Sequence, residues 1–121
     1  SLFQEQFFLG CQQALETGGI IVTQNGVPFY QPEELVAAHK CRQKVFLYAG
    51  FYTAPVPLYA GGYMAFGWGS DVLDPSKIST EQLKERITKA GLKFKIYTSQ
   101  GHISSFTPPP RILELLAEAE G

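Results

Sequence analysis

A single α/β domain over residues 1–121 is the fold class that this sequence predicts, and three observations predict it. Segments with helical and strand periodicity alternate along the chain, which is the pattern of helices packed on a sheet. The β-branched run IIVTQ stands directly behind the glycine pair Gly18 and Gly19, where a helix stops and a strand begins. The late stretch YTAPVPLYAGGYMAFGWGS, residues 52–70, alternates small and aromatic side chains around a proline- and glycine-rich crossing, the signature of two strands joined by a rigid loop. A chain of 121 residues can bury roughly two thirds of the surface that its unfolded form exposes, so a stable core is within reach.

The elements follow in order. SLFQEQFFLGCQQALETGG predicts a helix with Ser1 as N-cap, with Leu2, Phe3, Phe7, Phe8, Cys11 and Leu15 near one face, and with its stop at Gly18 and Gly19. Residues 19–24 form the first strand, ended by Asn25 and Gly26. Pro32 opens a second helix with Glu33 and Glu34 in its first turn, and Leu35, Val36, His39, Val45 and Phe46 are its inward positions. Residues 46–54 form a second strand and YMAFGWGS a third, with Tyr63, Ala65 and Gly67 set against Met64, Phe66 and Trp68. An N-capped helix over about 79–90 ends at Gly91, LKFKIYT reads as a short strand, and a closing helix follows the prolines at 108–110. Strand, helix and strand in that order predict a right-handed crossover with parallel neighbours, and the later strand pair adds a mixed edge.

Composition excludes several classes of function. Apolar residues make up 45% of the chain and charged residues 17%, with a net charge of -1, which is the balance of a globular, soluble protein. The ten Lys and Arg are matched by eleven acids and form no dense run, so nucleic acid is not an expected partner. The uncharged run over residues 45–70 is interrupted by prolines and glycines and suits strands and turns, so no membrane span is expected. No signal peptide is evident. Cys11 and Cys41 lack metal-ligand spacing and read as reduced, half-buried thiols of a cytosolic protein, with no metal and no resident cofactor. GGYMAFGWG does not have the spacing of a dinucleotide loop and precedes no helix, so its glycines relieve crowding in strands.

The run SLFQEQFFLGCQQALETGGIIVTQ, then PFYQPEELV, then YTAPVPLYAGGYMAFGWGS, and finally KFKIYTSQGHISSFTPPPRILELL, resembles the carboxy-terminal half of the spermidine synthase family, the polyamine aminopropyltransferases. These matches span nearly the whole chain in the family's order. The resemblance implies the carboxy-terminal part of a methyltransferase-like, Rossmann-type sheet with an antiparallel strand pair. It also implies that the chain is part of a larger catalytic domain and begins just after the loop with the family's catalytic aspartates. The family moves an aminopropyl group from decarboxylated S-adenosylmethionine, a nucleotide co-substrate, to putrescine or a related diamine and releases methylthioadenosine.

Site residues follow from that resemblance position by position. Tyr59 in VPLYAGG corresponds to the tyrosine of the family's PTYP-like loop at the polyamine site, where a phenol can stack on methylenes and accept a hydrogen bond from an ammonium group. Ala60 replaces that loop's second proline. Gln24 matches the pocket glutamine, Phe29 stands where many relatives have tryptophan, and Leu2 and Phe3 match the segment that follows the adenine-facing loop. His102 and Phe106 match a spacing that seats the last elements of the family's fold, and a lone histidine beside an apolar cluster reads as structural. No catalytic residue is assigned within the chain, because none of its acids falls in the family's aspartate motif. The resemblance therefore implies an incomplete site, a homo-oligomer, and dependence on an amino-terminal half with GGGDG-like and DSTDP-like loops. Two other readings stand beside it: a noncatalytic α/β binding or structural module, and part of a small-molecule methyltransferase.

Overall fold

The computed structural model describes residues 4–28, 30–58 and 62–120, with Tyr63 and Glu120 described by their backbone only. Among these residues the chain forms α1 (Glu5–Ala14), β1 (Ile20–Gln24), α2 (Pro32–Val45), β2 (Tyr48–Pro55), β3 (Tyr63–Ser70), α3 (Thr80–Ala90), α4 (Ser99–Ser105) and α5 (Pro110–Glu120). The N-cap of α1 is Gln4, in extended backbone at φ -94 and ψ 169, and not the expected Ser1, because the helix begins only at Glu5. α1 ends ahead of its predicted glycine stop, because Leu15 turns to extended backbone at ψ 140 while its N–H still donates to the carbonyls of Cys11 and Gln12. Gly18, at φ 82, then redirects the chain into β1.

The sheet order is β1-β3-β2, with β3 antiparallel to both neighbours. This corrects the expectation that the β1–α2–β2 crossover joins parallel neighbours. β1 and β2 do run the same way, but they stand one strand apart. The reason lies in the return path: the chain reverses between Val56, whose N–H donates to Gly62 O at 2.8 Å, and Gly62 at φ 72. So short a connection can join only antiparallel neighbours, and β3 fills the space that the helical crossover leaves open.

The register decides what each face carries. Thr23, Gly67 and Phe51 lie side by side beneath α2, while Val22, Trp68 and Gly50 face the other way. On the α2 face, Leu35, Phe51, Ala65 and Leu115 form the buried core that α5 closes, with Val36 and Leu116 packed against it. Central positions Gly67 and Gly69 bring α2 close to β3: a Cβ at Gly69 would stand 2.5 Å from the Phe46 ring, and one at Gly67 would overlap the Arg42 guanidinium. The expected role of these glycines as relief of crowding is what the packing shows. On the opposite face, Tyr52 stacks on Phe66 with centroids 5.1 Å apart, and Phe106 at the end of α4 covers Tyr52 and Trp68.

α3 follows its predicted bounds because both ends are encoded locally. Ser79 accepts from Gln82 N, the Gln82 side chain accepts from Ser79 N in return, and Gly91 closes the helix at φ 65. Replacing Ser79 with Ala should cost about 1 kcal/mol of stability, measured by urea unfolding, with no change in slope.

LKFKIYT is not a strand. Residues 92–98 pair with no neighbour, and Leu92, Phe94 and Ile96 stay exposed. Alternation alone supplies a two-sided segment, whereas a strand also needs an edge to bond to, and residues 92–98 bond to none among the described residues. The segment ends instead at Thr98, whose side chain accepts from Gly101 N at 2.9 Å and starts α4, a helix that the sequence reading did not predict.

Candidate functional site

The carboxy ends of β1 and β2 and the start of β3 share one end of the sheet. Gln24 pairs with Phe66, and the ladder continues beyond β1 through Asn25 N to Ala65 O at 2.9 Å and Ala65 N to Gly26 O at 3.0 Å. On the other side of β3, Pro55 faces Tyr63 in the register, so the connection over residues 56–62 leaves the sheet at the same end. Gln24 and the ends of the loop that carries position 59 are therefore brought together. Of the predicted site residues, Gln24 alone is described; Tyr59, Phe29, Leu2 and Phe3 lie outside the described residues.

The Gln24 side chain is exposed, and its Nε2 donates to Met64 Sδ at 3.6 Å. The strand ends at Gly26, at φ 87, a backbone that glycine alone adopts without strain. The Gln31 carboxamide accepts from Val27 N at 3.1 Å and fixes the turn. A Cβ at Gly26 would touch Glu34 Oε2 at 3.3 Å, so one carboxylate of the α2 amino terminus stands beside this crest. The sequence reading assigned Glu34 to helix initiation alone; its place two residues behind the proline start, in the helix that follows the Asn-Gly stop, was the signal available.

Beneath the crest lies Arg42, fully buried. Its Nη1 donates to Asn25 Oδ1 at 2.9 Å and Thr23 Oγ1 at 3.3 Å, and Thr23 Oγ1 donates to Asn25 Oδ1 at 2.7 Å. The guanidinium lies over the Phe51 ring at 4.4 Å and the Phe8 ring at 5.5 Å. Burial pushes its pKa down to about 9, which still leaves the group charged at neutral pH. Arg42 was missed because its residue type argues for solvent. The spacing of the buried positions Leu35, Ala38, His39 and Arg42 on α2 is nevertheless that of a helix's inward stripe.

Two aspartates are engaged in holding the fold. Asp71 accepts from Gln12 Nε2 at 2.8 Å and Leu47 N at 3.0 Å, which ties α1 to the start of β2. Asp74 accepts from Ser76 N at 3.0 Å. His102 bridges Tyr97 OH and Pro75 O, each at 2.9 Å, and its ring lies 5.1 Å from Phe106, a structural placement as its spacing predicted. Among the described residues no cluster of His, Cys, Asp and Glu could hold a metal ion, and Cys11 and Cys41 are free and half-buried.

An apolar cavity of about 630 Å³ opens on the sheet face opposite α2, lined by Tyr52, Thr53, Trp68, Tyr97, His102 and Phe106 among others. Among the described residues no carboxylate lines it, and neither does Gln24. Burial raises the Tyr52 phenol above its ordinary pKa. Such walls hold apolar surface.

Comparisons with known proteins agree with this geometry. Polyamine aminopropyltransferase of Buchnera aphidicola subsp. Acyrthosiphon pisum (strain Tuc7) is 41% identical over 119 residues, covering 98% of this chain and 42% of the relative. Its counterpart from Pectobacterium carotovorum subsp. carotovorum (strain PC1) is 39% identical over 120 residues, covering 99% and 42%. Among solved structures, spermidine synthase from Thermotoga maritima superposes with a TM-score of 0.83 at 26% identity, covering 96% of this chain and 40% of that one. A spermidine synthase in complex with the transition state analogue AdoDATO gives 0.83 at 25% identity, covering 97% and 40%. The chain thus spans about 42% of the length of the curated relatives it matches, and it has the α/β architecture of a methyltransferase-like fold. Because the model of the spermine/spermidine synthase domain matches residues 1–79, well over half of the sequence, the chain belongs to the spermine/spermidine synthase domain family.

Proposed function

We propose that the complete protein transfers an aminopropyl group from decarboxylated S-adenosylmethionine to putrescine or a related diamine, and that these residues form one wall of the diamine site. The observation that carries this reading is the shared end of the sheet: Gln24 and both ends of the 56–62 connection meet there, in a chain whose relatives are named polyamine aminopropyltransferases. In this reading Tyr59, Gln24 and Phe29 contact the diamine, while Leu2 and Phe3 adjoin the nucleotide.

The reaction is a displacement at carbon. The neutral amine nitrogen attacks the methylene bonded to the sulfonium, the carbon–sulfur bond breaks with its electrons going to sulfur, and the amine's proton passes to a carboxylate. The sulfonium is a good leaving group, so the protein's main task is alignment. Within this chain, a carboxamide and a phenol orient the diamine, and an aromatic ring excludes water along its methylenes. By the resemblance, the proton acceptor belongs to the family's aspartate motif, in which none of this chain's acids falls. We further assign the protein to the cytoplasm and to a homo-oligomer; no helix among the described residues is long and apolar enough to cross a membrane.

The reading is tested by Tyr59→Phe in the complete protein. Losing the hydroxyl while keeping the ring should cost about 1.5 to 3 kcal/mol in transition-state stabilisation, seen as a fall in kcat/KM for the diamine. Unchanged efficiency in a folded variant would remove Tyr59 from the site.

A further inference from the structure

Arg42 is an expensive residue to bury. It is fully enclosed, no carboxylate pairs with it, and its Nε and Nη2 make no hydrogen bond among the described residues. A buried cation in that condition opposes folding, and apolar side chains of similar volume commonly serve stability as well or better. What this cation does touch is specific. One nitrogen, Nη1, reaches both Asn25 Oδ1 and Thr23 Oγ1, and the same two side chains are bonded to each other. Its plane is set by Phe51 on one side and by the slot that the missing Cβ of Gly67 leaves in β3.

Thr23 and Asn25 are the two residues that flank Gln24. Side chains alternate along an extended strand, so both flanking residues point toward α2 and Gln24 points to the opposite face. A grip on both neighbours from behind fixes the backbone of Gln24, and with it the direction in which the carboxamide leaves the strand. The grip sits where the strand is about to end, one residue before the turn at Gly26. Beside this grip, the last ladder bonds, Asn25 N to Ala65 O and Ala65 N to Gly26 O, hold the backbone of this end of β1, and the Gln24 carboxamide reaches Met64 Sδ.

We propose that Arg42 is a positioning residue for diamine recognition: through Thr23 and Asn25 it holds Gln24 in the direction that its substrate contact requires. The inference rests on the reading of Gln24 as a wall of the diamine site. Arg42 itself touches no substrate.

The experiment uses the complete protein with three variants, Gln24→Ala, Thr23→Val and the pair Arg42→Met with Gly67→Ala. The pair replaces the guanidinium by apolar volume and fills the slot, so the core stays packed while the grip is removed. Initial rates are measured against putrescine and, separately, against decarboxylated S-adenosylmethionine, alongside the thermal midpoint and amide exchange over residues 20–27. The expected result for the pair is a rise of about tenfold in diamine KM, the size of one lost charged hydrogen bond, with kcat within about twofold and nucleotide KM unchanged. Amide exchange should quicken at Gln24 and Gly26 but not in α2. Thr23→Val, which keeps the cation and nearly the same shape, should raise diamine KM in the same direction by about threefold, as for a weaker neutral contact.

A merely structural role would lower the active fraction and leave KM where it was, and that outcome overturns the proposal. If the pair does not fold, Thr23→Val decides alone, and an unchanged diamine KM in that variant also overturns it. If Gln24→Ala raises diamine KM while the Arg42 pair and Thr23→Val do not, the site reading stands and the role of Arg42 fails. If Gln24→Ala itself leaves diamine KM unchanged, the reading of Gln24 fails and the positioning role falls with it.

Discussion

Residues 1–121 expressed alone should form no aminopropyl product from putrescine and decarboxylated S-adenosylmethionine, and should show no tight binding of that nucleotide by calorimetric titration. Two structural facts lead to this expectation. Among the described residues β1 pairs only with β3, so its outer edge carries unbonded backbone groups beside the exposed Ile20 and Val22. On the adjoining face an apolar cavity of about 630 Å³ has no carboxylate in its lining. Curated relatives of this chain extend well beyond the 42% of their length that it covers. Adding the separately expressed remainder of the protein should restore turnover and remove the association that the apolar edge favours, which sedimentation would record. Turnover by residues 1–121 alone would overturn the proposed division of the site.

The second large effect concerns a single methyl group. Gly67→Ala should destabilise the protein by about 1 to 3 kcal/mol or more, because the added Cβ falls on the Arg42 guanidinium, which is fully buried and cannot swing away. Combining it with Arg42→Met should recover most of that loss. The two substitutions are therefore strongly non-additive, as expected for side chains that compete for one volume. Urea unfolding of the four proteins of this cycle provides the measurement, and losses that simply add would show that the slot does not belong to Arg42.

Much of the architecture was legible because its signals are local. The start of α2 at Pro32 with Glu33 and Glu34 behind it, the capping box of Ser79 and Gln82, the left-handed Gly91, and the alternation of β3 each act within one turn or a few strand residues. They need no knowledge of neighbours. The family was legible for a related reason: four ordered stretches of sequence are specific even where no single one is. His102 also read as structural, and its ring bonds to Tyr97 OH and Pro75 O while lining the apolar cavity.

What the tertiary structure alone decided were pairings across sequence distance. LKFKIYT has the period of a strand, but Leu92, Phe94 and Ile96 find no edge, because strand formation depends on a partner and alternation only sorts the two faces. β3 lies between β1 and β2 because its antiparallel return from β2 was the way to fill the space left by the helical crossover, an order that neither strand's own residues specify. The candidate site divides along the same line. Gln24 was proposed through its motif, but its setting could not be read, because the residue beneath it, Arg42, is of a type that sequence assigns to solvent. Only the close approach of α2 to Gly67 turns that arginine inward, since burial is a property of the packed elements and charge is a property of the residue.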